Sequence, residues 1–273
     1  MKQIRAIRIL MAALFFIAAS ACLILGPQVH PMARAARSLQ ITLSAAASTM
    51  GVTLVWLLIT FIFGRIYCAA VCPVGTFSDL FFRLRRKIPR LNKPFSYRHR
   101  SKWPVHILWI YLLCILAGVV VVPFIIEPWN MARNMATAAN PQLIDSTWAT
   151  IGRGAATGIA VGVLSAILLI LCGLSYGRSF CTRFCPLGTI LGFVQERSIM
   201  HIEIDPDKCI SCGRCEDNCR AQCIKVVSRY IDSSRCTRCF DCVADCPAGA
   251  IRYQLNRNRR PASPLMRKAR NHH

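Results

Sequence analysis

Eight cysteines between Cys209 and Cys246 form two copies of one ligand run, CxxCxxCxxxC, at 209/212/215/219 and at 236/239/242/246, offset by 27 residues. A 4Fe-4S cubane needs four thiolates. A tight CxxCxxC loop wraps three irons of one cluster, and the next cysteine along the chain ligates the other cluster. Cys209, Cys212, Cys215 and Cys246 are therefore expected to bind one 4Fe-4S cluster, and Cys219, Cys236, Cys239 and Cys242 a second. The flanks repeat as well, since Ile204-Asp205 precedes Cys209 as Ile231-Asp232 precedes Cys236. Zinc knuckles pair two CxxC steps across a longer spacer and leave no reason for the third cysteine. Disulfides are disfavoured because cysteines three apart on a tight loop are poorly placed to bridge one another. Cys219 is followed by Arg220, whereas Cys246 is followed by Pro247; the departure is expected to leave ligation intact and to loosen the turn. Cys223 aligns with Ala250 and reads as a small buried core residue.

A second set of paired cysteines lies upstream. Gly64-Arg65-Ile66-Tyr67-Cys68 runs on to Cys72-Pro73-Val74-Gly75-Thr76, and 113 residues later Gly177-Arg178-Ser179-Phe180-Cys181 runs on to Cys185-Pro186-Leu187-Gly188-Thr189. Cys68, Cys72, Cys181 and Cys185, brought together, would supply four ligands to a further cluster or metal. Alternatively they form two redox-active dithiols, because a thiol beside a helix N-terminus and an arginine has a lowered pKa. A purely structural turn, shaped by Gly, Arg and Pro, is the third option. Pro73 and Pro186 suit the first turn of a following helix.

The elements that must position these cysteines are membrane helices. The chain is 54% hydrophobic yet carries a formal charge of +22, a mixture that a single soluble globule does not combine. Four uncharged stretches fall at about 9–29, 41–63, 104–126 and 155–176, each near the ~20 residues that cross roughly 30 Å of hydrocarbon. The segment from Arg65 to Lys102 holds ten Lys and Arg against Asp79, while the loop before the second span has only Arg34 and Arg37 and the loop after the third balances Arg133 and Arg153 with Glu127 and Asp145. By the positive-inside rule both termini and the middle loop face the cytoplasm. Each cysteine-pair motif ends an even-numbered span, so the membrane part reads as two parallel two-helix repeats. The first helix, with Lys2 to Arg8 and then Ala19-Ser20-Ala21, has some marks of a cleavable signal peptide; the internal symmetry favours its retention. The helix after Pro73 has one apolar face with basic flanks and is expected at the interface.

Other chemistry is weakly encoded. Bis-histidine haem is improbable, because His106 is the lone histidine inside a span and no CxxCH occurs. Cys22, Cys114 and Cys172 read as apolar packers. Glu127 and Trp129, at the expected outer end of the third span, are quinol-site candidates, since a carboxylate beside an aromatic can accept a quinol proton; His30 and Asp145 are lesser ones. The basic tail over 254–273 is expected to be solvated or to touch anionic lipid, with no nucleic-acid role.

Four spans, two GRxxCxxxCPxGT motifs and a terminal two-cluster domain together resemble the NapH-type membrane polyferredoxins, quinol dehydrogenase membrane components; the methylamine-utilisation ferredoxin-type protein MauN is much the same. The fold expected is a membrane all-α domain over 1–200, four transmembrane helices in two parallel repeats, followed at 201–253 by an α+β bacterial-type ferredoxin domain. The resemblance implies an inner-membrane electron-transfer protein, with membrane lipid, the quinone pool and another redox protein, ferredoxin-type or multihaem, as partners. The alternative is a maturation factor that reduces thiols or metals in a client protein. A redox sensor ranks last, since no kinase or DNA-binding motif accompanies the clusters.

Overall fold

The computed structural model describes residues 2–25, 39–40, 46–90, 94–119, 121–139 and 155–255. The basic tail beyond 255, His30 and Asp145, the outer ends of the first two stretches, and the Cys22 side chain lie outside the described residues.

Long apolar runs without proline make the first two helices, α1 (Lys2–Leu25) and α2 (Ala46–Phe63). Proline at the first helical position then starts α3 (Pro73–Lys87), where its missing N–H costs nothing. The third apolar stretch departs from the expectation of one span over 104–126. α4 (Trp103–Leu116) is 14 residues long, about 21 Å at 1.5 Å per residue, and so falls short of a full crossing. The chain turns at Gly118 with φ +71, a value that glycine adopts without a Cβ penalty. It resumes as α5 (Val121–Ile126), which packs back on α4, and continues as α6 (Pro128–Ala139). α7 (Ala155–Tyr176) matches the expected fourth stretch. Its Gly162 permits a close approach to α6, since a Cβ there would meet the Asn134 carbonyl oxygen at 2.0 Å. α8 (Pro186–Glu196) repeats the proline start of α3.

Two helical segments, Gln3–Ala21 and Gly158–Tyr176, are long and apolar enough to cross a membrane, and Met50–Phe63 and Trp103–Leu116 are shorter apolar helices. Their large side chains face outward: Leu10, Leu14 and Ile17 on α1, Leu54, Val55 and Leu58 on α2, Leu113 and Leu116 on α4, Leu164, Ile167 and Leu171 on α7. Exposed apolar surface of that extent marks a face for contact with lipid or another protein.

The last part is a small α+β unit. β1 (Met200–Ile204) pairs antiparallel with β4 (Ile251–Leu255), in register from Met200 opposite Leu255 to Ile204 opposite Ile251. Between them lie α9 (Arg214–Asp217), the hairpin of β2 (Ile224–Lys225) with β3 (Tyr230–Ile231), and α10 (Asp241–Asp245). The molecule has two buried cores. One gathers Tyr67, Met131, Leu169, Phe180, Leu187 and Leu191 around four cysteines, and the other gathers Ile202, Ile224, Val226, Phe240, Val243 and Ile251 around the ferredoxin-type loops.

Candidate iron-sulfur and cysteine centres

The repeated cysteine loops of the terminal unit share an unusual backbone. Ser211, Gly213 and Gln222 have positive φ in the first half, and Arg238, Phe240 and Gly249 have it at the same offsets in the second. Side chains other than glycine rarely adopt that region, and such conformations collect at functional sites. Successive turns of this kind aim backbone N–H groups into a concavity that suits an anionic cluster. Cys209, Cys212, Cys215 and Cys246 line one cavity, closed by Ile204, Val226 and Ile251. Cys219, Cys236, Cys239 and Cys242 lie within electrostatic reach of one another, and Cys219, Cys236 and Cys242 are buried in the second core. The first cavity thus combines three cysteines of one run with the fourth of the other, and four thiols beside an apolar wall are what a cubane asks of its site.

The upstream pairs also meet. Cys68, Cys72, Cys181 and Cys185 are all buried in the first core and lie within electrostatic reach of one another. Every residue of the motif has a visible reason. Gly64 and Gly177 take φ +85 and +65. A five-residue π-helical turn follows in each copy, Tyr67–Val71 and Phe180–Phe184, closed by hydrogen bonds of 3.0 Å from the Cys72 N–H to the Tyr67 oxygen and from the Cys185 N–H to the Phe180 oxygen. Such turns cluster at functional sites. Gly75 and Gly188 let the next helix press against the preceding loop, since a Cβ would stand 2.4 Å from the Cys68 oxygen or 2.2 Å from the Cys181 oxygen. The hydroxyls of Thr76 and Thr189 donate to the Cys72 and Cys185 oxygens at 3.2 Å.

The expectation of lowered thiol pKa values is overturned. Burial pushes all four thiols up, Cys181 to about 12, and the pull of Arg178 and Arg65 on Cys68 and Cys181 does not offset it. Thiols so buried are poor partners for exchange with a client protein, whereas coordination deprotonates a thiol outright. Among the described residues no three His, Cys, Asp or Glu side chains converge at the spacing that holds a single metal ion. The thiolates of a cubane stand farther apart, at the corners of a larger tetrahedron.

The motif arginines link the two centres. Arg178 is fully buried; its Nε and Nη2 donate to Asp79 at 2.7 Å and its Nη1 to the Cys68 oxygen at 3.0 Å. It lies within electrostatic reach of both Cys181 and Cys239. Arg65, 1% exposed, donates to the Gly188 oxygen at 2.5 Å and to the Ser234 oxygen at 2.9 Å, and acts on both Cys68 and Cys236. Gln195 accepts from the Arg65 N–H at 2.5 Å and donates to the Cys236 oxygen at 2.7 Å.

Arg220 corrects a sequence expectation. Far from loosening a turn, it is buried and bridges Asp79 at 2.6 Å and Asp241 at 2.7 Å, joining α3 to the ferredoxin-type unit. Arg8 adds a third guanidinium to Asp79 at 3.1 Å, and Arg5 reaches Asp241 at 3.1 Å and Asp245 at 2.9 Å. The exchange of proline for arginine after Cys219 was the one signal in the sequence for this network. Cys223 is buried as expected, but its sulfur stands 3.5 Å from that of Cys219. Cys172 packs against the first core and Cys114 is half-exposed.

Glu127 does not end a straight span. The α4–α5 turn folds it back beside α4, where it is buried and accepts from the Tyr111 hydroxyl and, at 2.9 Å, from the Asn130 amide. Trp129 is buried next to it on α6.

Family comparisons agree with the cysteine patterns. One model of a 4Fe-4S binding domain matches twice, at residues 46–92 and 157–202, and a second matches residues 201–224 and 230–251. An uncharacterized protein of Methanocaldococcus jannaschii is 25% identical over 76% of this chain and 71% of its own length. The methylamine utilization ferredoxin-type protein MauN of Paracoccus denitrificans is 27% identical over 64% of this chain, and the ferredoxin-type protein NapH of Escherichia coli 26% identical over 65%; in each case 55% of the relative is covered. The chain thus spans about half the length of those two relatives. No solved structure matches. The chain contains matches to two models of 4Fe-4S binding domains and is similar to the ferredoxin-type proteins MauN and NapH over about two thirds of its length.

Proposed function

We propose that this protein is a multi-pass inner-membrane electron relay between the quinol pool and a further redox protein, with its ferredoxin unit on the cytoplasmic face. Cys209, Cys212, Cys215 and Cys246 hold one 4Fe-4S cluster, and Cys219, Cys236, Cys239 and Cys242 the other; Cys68, Cys72, Cys181 and Cys185 form a further redox centre at the membrane side. When bound, each cluster supplies a reversible one-electron couple, so two of them match the two electrons of a quinol.

The observation that carries this reading is the pair of buried arginines, each facing a thiol of the membrane-side centre and a cysteine of the second ferredoxin loop. A guanidinium in that position compensates the negative charge of thiolate-bound clusters and holds the centres close. The charge pattern supports the cytoplasmic placement, as does the tie between the basic end of α1 and α10. Glu127 and Trp129 are the quinol-site candidates, the carboxylate taking a proton beside Tyr111, which lies within electrostatic reach of Cys185. A second reading, electron supply to a maturing client, is favoured by the likeness to MauN; the burial of all four upstream thiols restricts it to electron transfer through a partner.

Membranes containing the protein, treated anaerobically with a short-chain quinol, should develop the EPR signal of reduced 4Fe-4S clusters, and Glu127→Gln should slow its appearance at unchanged iron content. Clusters that dithionite reduces and no quinol does would overturn the quinol assignment.

A further inference from the structure

The two halves of the ferredoxin unit align in sequence at an offset of 27 residues, and among the buried positions at which they differ one carries a thiol. Cys223 stands where the second half has Ala250, and both are 1% exposed. Ala250 lines the cavity of Cys209, Cys212, Cys215 and Cys246 with an inert methyl group. Cys223 instead places its sulfur 3.5 Å from Cys219 Sγ, and its backbone N–H donates to the same sulfur at 3.4 Å. The Cys236 side chain lies within interaction reach of that thiol as well. Cys219 and Cys236 both belong to the proposed second cluster. As ligands they are thiolates without a proton, so the only S–H in the trio belongs to Cys223.

We infer that Cys223 is a positioning residue for the second cluster, donating an S–H hydrogen bond to its ligand sulfurs and thereby raising its reduction potential above the value an alanine would give. Hydrogen bonds to the sulfurs are one of the levers that set cluster potentials. One-electron reduction adds negative charge that spreads onto the thiolates. The donor therefore stabilises the reduced form more than the oxidised one, and no proton changes hands. The first cluster has no such donor at the equivalent place. The inference rests on the proposed assignment of Cys219 and Cys236 to one cluster.

The test is an EPR-monitored redox titration of the full-length protein in detergent, with iron content measured in parallel, for the wild type, Cys223→Ala, Cys223→Ser and Ala250→Cys. Cys223→Ala should lower one of the two midpoints, by roughly threefold to tenfold in the reduction equilibrium, tenfold being about 59 mV for one electron, and leave the other in place. Cys223→Ser, which keeps a donor, should hold that midpoint at or above the wild-type value. Ala250→Cys, which supplies a donor to the other half, should raise the other midpoint. Two intact clusters whose midpoints ignore all three substitutions would overturn the inference while leaving the cluster assignment standing. If Cys223→Ala and Ala250→Cys shift the same midpoint, the assignment of Cys219 and Cys236 to the second cluster fails instead. Should Cys223→Ala lose iron, the Ser and Ala250→Cys titrations decide the matter.

Discussion

Asp79 shows how much a single side chain governs here. It sits on α3, just past the first cysteine pair, and collects Arg8, Arg178 and Arg220. Burial alone would push its carboxyl up, but the three guanidinium groups hold it well below the usual carboxylate range. Because its folded pKa is depressed, its contribution to stability is complete above the unfolded value of about 4 and is lost as pH falls below that. Removing one partner of a buried charge group costs about 3–5 kcal/mol, since the rest remain uncompensated. Thermal unfolding in detergent should therefore show Asp79→Asn well below the wild type at neutral pH, with the two curves converging below about pH 4. At the same scale, Cys219→Ser should remove the cluster of Cys236, Cys239 and Cys242, with about half of the ferredoxin-unit iron, and spare the other. Iron analysis with EPR in the background of each triad deletion checks this; loss of the Cys209 cluster would refute crossed ligation.

Among the elements, the turn from Cys68 to Gly75 and its counterpart from Cys181 to Gly188 determine whether four thiols converge. Gly75→Ala and Gly188→Ala force a methyl group to within 2.4 and 2.2 Å of a carbonyl oxygen, an overpacking expected to cost about 1–3 kcal/mol and to splay the cysteines. Gly51, in α2, has nothing within 4 Å of such a methyl, so Gly51→Ala should be neutral or stabilising by about 0.5–1 kcal/mol. Melting temperatures and iron content of the three variants test the contrast. The motif itself was legible in the sequence, because Gly, Pro and Cys at fixed spacing each carry a local meaning. The break of the third apolar stretch was not. Apolar periodicity registers Trp103 to Ile126 as one run, and only Gly118 marked a turn that depends on Glu127 finding Tyr111.

Across the whole molecule, the ferredoxin unit is seated on the cysteine end of the helices. The Tyr253 hydroxyl donates to the Phe63 oxygen at 2.8 Å, the Ile199 N–H to the Phe61 oxygen at 2.8 Å, and Arg235 holds the segment between α3 and α4 by donating to the Arg98 oxygen. The sequence announced both cysteine sets but not that they adjoin, since long-range ion pairs such as Arg220 with Asp79 leave no local periodicity. If the basic loop and the ferredoxin unit share the cytoplasmic side, reporters active only in the periplasm should fail when fused at residue 90 or at the C-terminus and work at residue 140; activity at residue 90 would reverse the orientation. The central claim, that the four upstream thiols act as one centre feeding the clusters, is tested most directly by quinol-dependent cluster reduction in membranes carrying Cys68/Cys72→Ala, Cys181/Cys185→Ala or all four substitutions. At matched ferredoxin-unit iron, either pair should abolish reduction nearly as fully as the quadruple variant, because half a four-ligand site holds its group poorly and the losses are not additive. Full reduction in the quadruple variant would contradict the account and leave the motif as a shaped turn.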